Sequence, residues 1–169
     1  MKLTELFGFR RPPDYSVLLV CRANLCRSPM AQLMLAEVLR RKGMQNACRV
    51  ASAGTEVTVA GRLMDPRASR VLAAKGIPLS RVKSRGICAE DFRRHRMILG
   101  LDRRVTARLR DRAPDDLEGR VADLSQFGCT APEIPDPYYG TEAGFVRVYD
   151  LLLPVMESLA DQLRREIQV

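Results

Sequence analysis

The 169-residue chain contains no tryptophan, a single histidine (His95) and only 5% aromatic residues. With one histidine, no CxxC pair and no Cys/His cluster, the usual zinc-ligand spacings are excluded. No apolar run approaches the roughly 18 residues that cross a bilayer. The opening stretch, MKLTELFGFRRPPDY, has neither the apolar core nor the small-residue cleavage site of a signal peptide. The arginines are spread along the chain, with no basic tail and few aromatics among them, which argues against a nucleic-acid partner. The five cysteines (Cys21, Cys26, Cys48, Cys88, Cys129) form an odd set without a secretory signal, so no disulfide framework is expected. These absences point to a cytoplasmic protein that needs no metal or cofactor and has no membrane span.

What is present suits one globular domain: 46% hydrophobic and 28% charged residues in a length typical of a single core. Lys and Arg total 28 against 20 Asp and Glu, a net charge of +8. That balance favours an anionic partner or substrate.

Residues 1–14 read as an extension, closed by Arg10, Arg11, Pro12 and Pro13, and the domain spans 15–169. Val17-Leu18-Leu19-Val20 is a continuous apolar run, the pattern of a strand buried on both faces. Ser28 then reads as an N-cap and Pro29 as the first position of a helix that Gly43 ends. Further strands are expected at 48–53, 96–99 and 121–124, with helices opening at Pro66 and covering 105–110. Phe145, Val148, Tyr149, Leu152, Met156, Leu159 and Leu163 recur at helical spacing, and Pro154 among them predicts a kink or break. Strands alternating with helices imply one α/β domain, a parallel sheet covered on both faces.

In such a sheet, ligands bind where strands end and loops lead into helices. The first of these turns reads Cys21-Arg22-Ala23-Asn24-Leu25-Cys26-Arg27-Ser28-Pro29. Amide N–H groups curling into a helix N-terminus can surround a tetrahedral oxyanion, and Arg27 adds a fork for two of its oxygens. Cys21 stands at the base of that cup, where the same field favours its thiolate and the Ser28 hydroxyl can support it. Asn24 suits a left-handed backbone position.

The stretch VLLVCRANLCRSP resembles the signature of the low-molecular-weight protein tyrosine phosphatase family. The resemblance continues, in order, through Ser52-Ala53-Gly54-Thr55, Asp65-Pro66-Arg67-Ala68, Leu79-Ser80 and Asp136-Pro137-Tyr138-Tyr139-Gly140, across nearly the whole chain. It implies a four-stranded parallel sheet with helices on both faces and a metal-free phosphocysteine mechanism. By position, Cys21 is the implied nucleophile and Arg27 the phosphoryl-binding residue. Arg22, Ala23, Asn24, Leu25, Cys26 and Ser28 complete the phosphate loop. Asp136 is the implied general acid and base, and Tyr138 and Tyr139 form part of the substrate wall. The implied partner is a tyrosine-phosphorylated protein, a bacterial tyrosine kinase among the candidates, with inorganic phosphate as product.

The chain departs from the family pattern in several places. Ala23 replaces a usual glycine, and Arg22 replaces an apolar residue and could recruit acidic or multiply phosphorylated substrates. Thr58 stands at a frequent aromatic wall position, and Arg81 where many members have a histidine near the loop. Rival readings on the same scaffold are an arsenate reductase and a protein arginine phosphatase. The first needs two more cysteines, but His95 stands seven residues after Cys88. The second tends to carry threonine where Leu25 stands. A catalytically silent phosphoprotein-binding module is the remaining alternative, and retention of Cys21, Arg27 and Asp136 argues against it. Cys26 is also a candidate redox partner for Cys21.

Overall fold

Val17, Leu18, Leu19 and Val20 have no exposed surface, because the strand that carries them, β1 (Tyr15–Cys21), lies inside the sheet with a parallel neighbour on each side. The structure, a computed structural model, describes residues 15–167. The expected extension, residues 1–14, lies outside the described residues. The sheet comprises β1, β2 (Cys48–Gly54), β3 (Met97–Gly100) and β4 (Val121–Asp123), in the order β2-β1-β3-β4 and parallel throughout.

Side chains alternate across β1 and so divide the core in two. Val17, Leu19 and Cys21 face the larger half, built with α1 (Arg27–Arg41), α2 (Pro66–Ala74) and α5 (Glu142–Ile167). Leu18 and Val20 face the other half, where Phe92 of α3 (Ala89–Arg94) and Val105 and Leu109 of α4 (Arg103–Arg112) pack on Ile98 and Val121. Both faces are covered, which is why β1 carries no polar alternation.

The chain leaves β1 through α1 to β2 on one side, then returns to β3 on the other. The strand order therefore reverses beside the carboxyl end of β1, the place where open α/β sheets bind ligands.

Two expectations are corrected. Ser28 is not the N-cap of α1: the helix starts at Arg27, Cys26 takes the cap position, and Pro29 is its third residue. A first-turn proline costs no helical hydrogen bond there, which frees Ser28 for the loop. Pro154 does not break α5, which runs unbroken over 26 residues. Pro154 and Asp150 are both exposed, so the carbonyl that loses its donor can be hydrated, while the buried stripe from Phe145 to Leu163 holds the helix on the core. The six-residue α3 was not anticipated; it is too short for periodicity to reveal.

Candidate active site

The loop from Cys21 to Ser28 is gripped from outside by its carbonyls. Those of Cys21, Arg22, Leu25 and Cys26 accept hydrogen bonds from the N–H groups of Thr55, Glu56, Asp65 and Met30, at 2.8–3.2 Å. Carbonyls turned outward leave the intervening amide N–H groups for an anion inside the loop. Gly54 at the end of β2 makes this approach possible: a Cβ there would lie 2.7 Å from the Arg22 carbonyl oxygen and 3.0 Å from the Ala23 carbonyl carbon.

Asn24 adopts φ +56°, as its residue type allows. Its side chain fixes the loop in three directions. Nδ2 donates to Ser28 Oγ and to Ser52 Oγ, both at 2.9 Å, and Oδ1 accepts the Arg85 N–H at 3.0 Å. Ser28 Oγ, held by Asn24, lies 3.0 Å from Cys21 Sγ. A lone pair used on Asn24 leaves the single hydroxyl proton to point at the sulfur or at the Ala53 carbonyl, 3.3 Å away.

Arg27 is buried in the floor. Nη1 donates to Asp102 Oδ2 at 2.6 Å and to the Ile134 carbonyl at 3.0 Å, and Nη2 reaches Asp136 Oδ2 at 3.3 Å. Burial alone would lower its affinity for a proton, but Cys21, Asp136 and Asp102 raise it on balance, so the guanidinium stays charged. Burial, with Asp65, Cys21 and Asp136 nearby, pushes the Cys26 thiol up to about 12; Arg67 opposes this. Cys26 is therefore a protonated thiol, buried in the wall of the loop.

Asp136 is exposed and belongs to the proline-rich segment before α5. One of its oxygens accepts the Tyr138 N–H at 3.2 Å, which sets the turn. Arg67 anchors that segment through the carbonyls of Tyr138 and Gly140, at 3.0 and 2.8 Å, while pairing with Asp65, the N-cap of α2. A cavity of about 310 Å³ collects Cys21, Arg22, Leu25, Arg27 and Asp136 beneath the exposed Tyr138 and Tyr139, whose rings meet edge to face at 5.0 Å.

Every loop residue singled out in the sequence is brought to this place except Asn24 and Ser28, which support it from below. Thr58 lines the cavity as expected, but Arg81 is exposed on a separate groove, and the loop is met by the Arg85 backbone instead. Asp102, Arg67 and Glu56 were missed. For Asp102 a signal existed, since it follows β3 in the Gly-Leu-Asp run at the sheet's ligand-binding edge. Among the described residues, no three His, Cys, Asp or Glu side chains come together to hold a metal ion. No described helix is long and apolar enough to cross a membrane.

A parallel sheet whose first strand ends in a cysteine under an anion-binding loop, facing a buried arginine and an exposed carboxylate, defines the class of cysteine-based phosphatases. Residues 16–169 match the family described as low molecular weight phosphotyrosine protein phosphatase. Low molecular weight phosphotyrosine protein phosphatase 2 of Drosophila melanogaster is 38% identical over 143 residues, 83% of this chain and 87% of that protein. The low molecular weight protein-tyrosine-phosphatase Wzb of Salmonella typhimurium is 35% identical over 89% of this chain and 95% of its own length. Among solved structures, a protein tyrosine phosphatase from Entamoeba histolytica superposes with a TM-score of 0.87 at 30% identity, covering 90% of this chain and 99% of that one. The chain belongs to the low molecular weight phosphotyrosine protein phosphatase family, a family of phosphoric monoester hydrolases.

Proposed function

We propose that this protein hydrolyses phosphotyrosine in proteins through a phosphocysteine at Cys21, without metal or cofactor. The observation that carries the reading is the 3.0 Å contact between Cys21 Sγ and a Ser28 hydroxyl that Asn24 holds in place, opposite Arg27 and Asp136. The phosphoryl oxygens occupy the loop amides and the Arg27 fork. Cys21 Sγ forms a bond to phosphorus as the ester P–O bond breaks, and Asp136 gives its proton to the departing phenolate. Water then attacks the phosphocysteine and passes a proton back to Asp136. The S–P bond breaks, the Ser28 hydroxyl stabilises the restored thiolate, and inorganic phosphate leaves.

Leu25 in the cavity wall offers an aliphatic face to a phenyl ring, which supports phosphotyrosine over phosphoarginine. His95 is buried on α3's side of the sheet, so no thiol stands where a disulfide relay through Cys88 would need one. The partner is a tyrosine-phosphorylated protein, and a bacterial tyrosine kinase of polysaccharide export is the specific candidate. The test is phosphate release from 4-nitrophenyl phosphate and a phosphotyrosine peptide with a chelator present, beside a phosphoarginine peptide and arsenate-dependent thiol consumption. Turnover of the two tyrosine-type substrates alone supports the reading; preference for either rival substrate overturns it.

A further inference from the structure

Beside the catalytic cavity lies a second one of about 160 Å³, and the two share Arg22, Arg27, Glu56 and Asp136. Its outer wall is α4, a helix with five arginines in ten residues, and it presents Arg104 and Arg108, one turn apart, to the cavity. Arg27 is already engaged by Asp102 and Asp136. The cavity is therefore lined by four guanidiniums (Arg22, Arg27, Arg104 and Arg108) against three carboxylates (Glu56, Asp102 and Asp136), an excess of one positive charge, with Asp102 and Asp136 turned to Arg27. Glu56 pairs with Arg108 and lies 3.5 Å from Arg104. The guanidinium of Arg22, at the junction of the two cavities, has no ion-pair or hydrogen-bond partner among the described residues.

An independent observation falls at the same place. Thr55 is 6% exposed and lines this cavity, and its Oγ1 is buried without a hydrogen-bond partner. A buried hydroxyl without a partner is unfavourable, and a carboxylate or phosphate oxygen would supply the acceptor. A cation would meet four guanidiniums, with the three carboxylates already turned to Arg27 and Arg108; an apolar side chain would leave Arg22 and the hydroxyl unsatisfied.

Building on the phosphotyrosine reading, we infer that this cavity is a second anion subsite, which takes an acidic or phosphorylated side chain lying next to the phosphotyrosine in the substrate. That group accepts from Thr55 Oγ1 and from Arg22, and it competes with Glu56 for Arg104 and Arg108. The substrate class it selects is a phosphotyrosine flanked by acidic residues or by a second phosphotyrosine.

Three phosphotyrosine peptides that differ only in the flanking residues (alanine, glutamate or a second phosphotyrosine) test this, with 4-nitrophenyl phosphate as the control. In the wild type, kcat/KM should be about tenfold higher for the two anionic peptides than for the alanine peptide, and the gap should shrink as salt is added. In Arg104→Ala/Arg108→Ala the gap should close to about twofold, with the alanine peptide and the aryl phosphate turned over as before. Should that variant lose aryl-phosphate turnover, Thr55→Val, nearly equal in volume, serves instead, and its preference should fall severalfold. Equal turnover of the three peptides by the wild type, or an undiminished preference in the variants, overturns the subsite. Weaker inhibition by inorganic phosphate in the variant with unchanged peptide preference would also overturn it, in favour of a free-phosphate site. Wild type that hydrolyses neither peptides nor aryl phosphate would instead remove the phosphatase reading beneath it.

Discussion

Asp102 Oδ2 lies 2.6 Å from Arg27 Nη1, and the other oxygen of the same carboxylate accepts the Val105 N–H at 2.7 Å. One side chain therefore aims the phosphoryl-binding guanidinium and starts α4. Asp102→Asn keeps an oxygen for the cap but loses the charge opposite Arg27. It should lower kcat/KM for an aryl phosphate about tenfold while leaving the melting temperature nearly unchanged. Asp102→Ala should add a stability loss of about 1 kcal/mol from the missing cap. Wild-type kinetics in Asp102→Asn would show that Arg27 holds its position without this partner.

Asp136 lines the cavity beside Arg27 and is the general acid of the proposed reaction. Asp136→Ala should keep its affinity for vanadate and lose about 10²–10⁴ in turnover of phenyl phosphate. The loss should be smallest for nitrophenolates, which leave without a proton. A uniform loss across leaving groups would place the acid elsewhere.

The fold was legible where its constraints are local. β1 announced itself as an apolar run, and the loop as a Cys-to-Arg turn between strand and helix, down to the left-handed Asn24. What escaped was brought in from distant positions. Asp102 arrives just after the neighbouring strand β3, as the N-cap of α4, Arg67 on α2, and the Arg85 N–H on an irregular segment between α2 and α3. Apart from the place of Asp102 after a strand, none of these carries a local pattern that separates it from the other arginines and aspartates of a highly charged chain. Ser28 was misread as a cap for a related reason: Ser-Pro before an apolar stripe matches the cap pattern, but the pull of Cys21 and Asn24 on its hydroxyl is tertiary. Pro154 does not interrupt α5, where it lies on the exposed side off the buried stripe.

Cys26 is buried in the loop with a thiol held protonated up to about 12. After peroxide converts Cys21 to its sulfenic acid, attack by the Cys26 sulfur would form a disulfide and release water. Because Cys26 must first lose its proton, disulfide formation should quicken as pH rises, and dithiothreitol should restore activity. Cys26→Ala should be inactivated as fast and recover less. Peptide mapping that links Cys21 to Cys48, Cys88 or Cys129 would show the pairing to be wrong.

Acid should destabilise the fold in two stages. Burial holds the His95 imidazole below its ordinary value of 6.5, helped by Arg85, Arg94 and Arg49 and opposed by Asp91. The unfolded chain therefore takes up a proton near 6.5 that the native protein refuses, and stability falls as pH drops below about 6.5. The second stage comes from carboxylates held below their ordinary range, among them Asp65, Asp91, Asp161, Glu166 and Glu37, which Arg40 and Arg41 hold at about 2 against an ordinary 4.5; Glu37's contribution is present above 4.5 and lost as pH falls towards 2. Melting temperature measured against pH should show both, and His95→Gln should flatten only the first. A first stage of equal depth in His95→Gln would assign it to another group.

The most direct test of Cys21 as nucleophile is rapid-quench mass spectrometry of the protein during turnover of 4-nitrophenyl phosphate. The Asp136→Ala variant, which lacks the base for the second step, should accumulate one phosphoryl group, and peptide sequencing should place it on Cys21. Cys21→Ser should show no turnover. A phosphoryl group found on Ser28 or any other residue, or steady turnover by Cys21→Ser, would contradict the account.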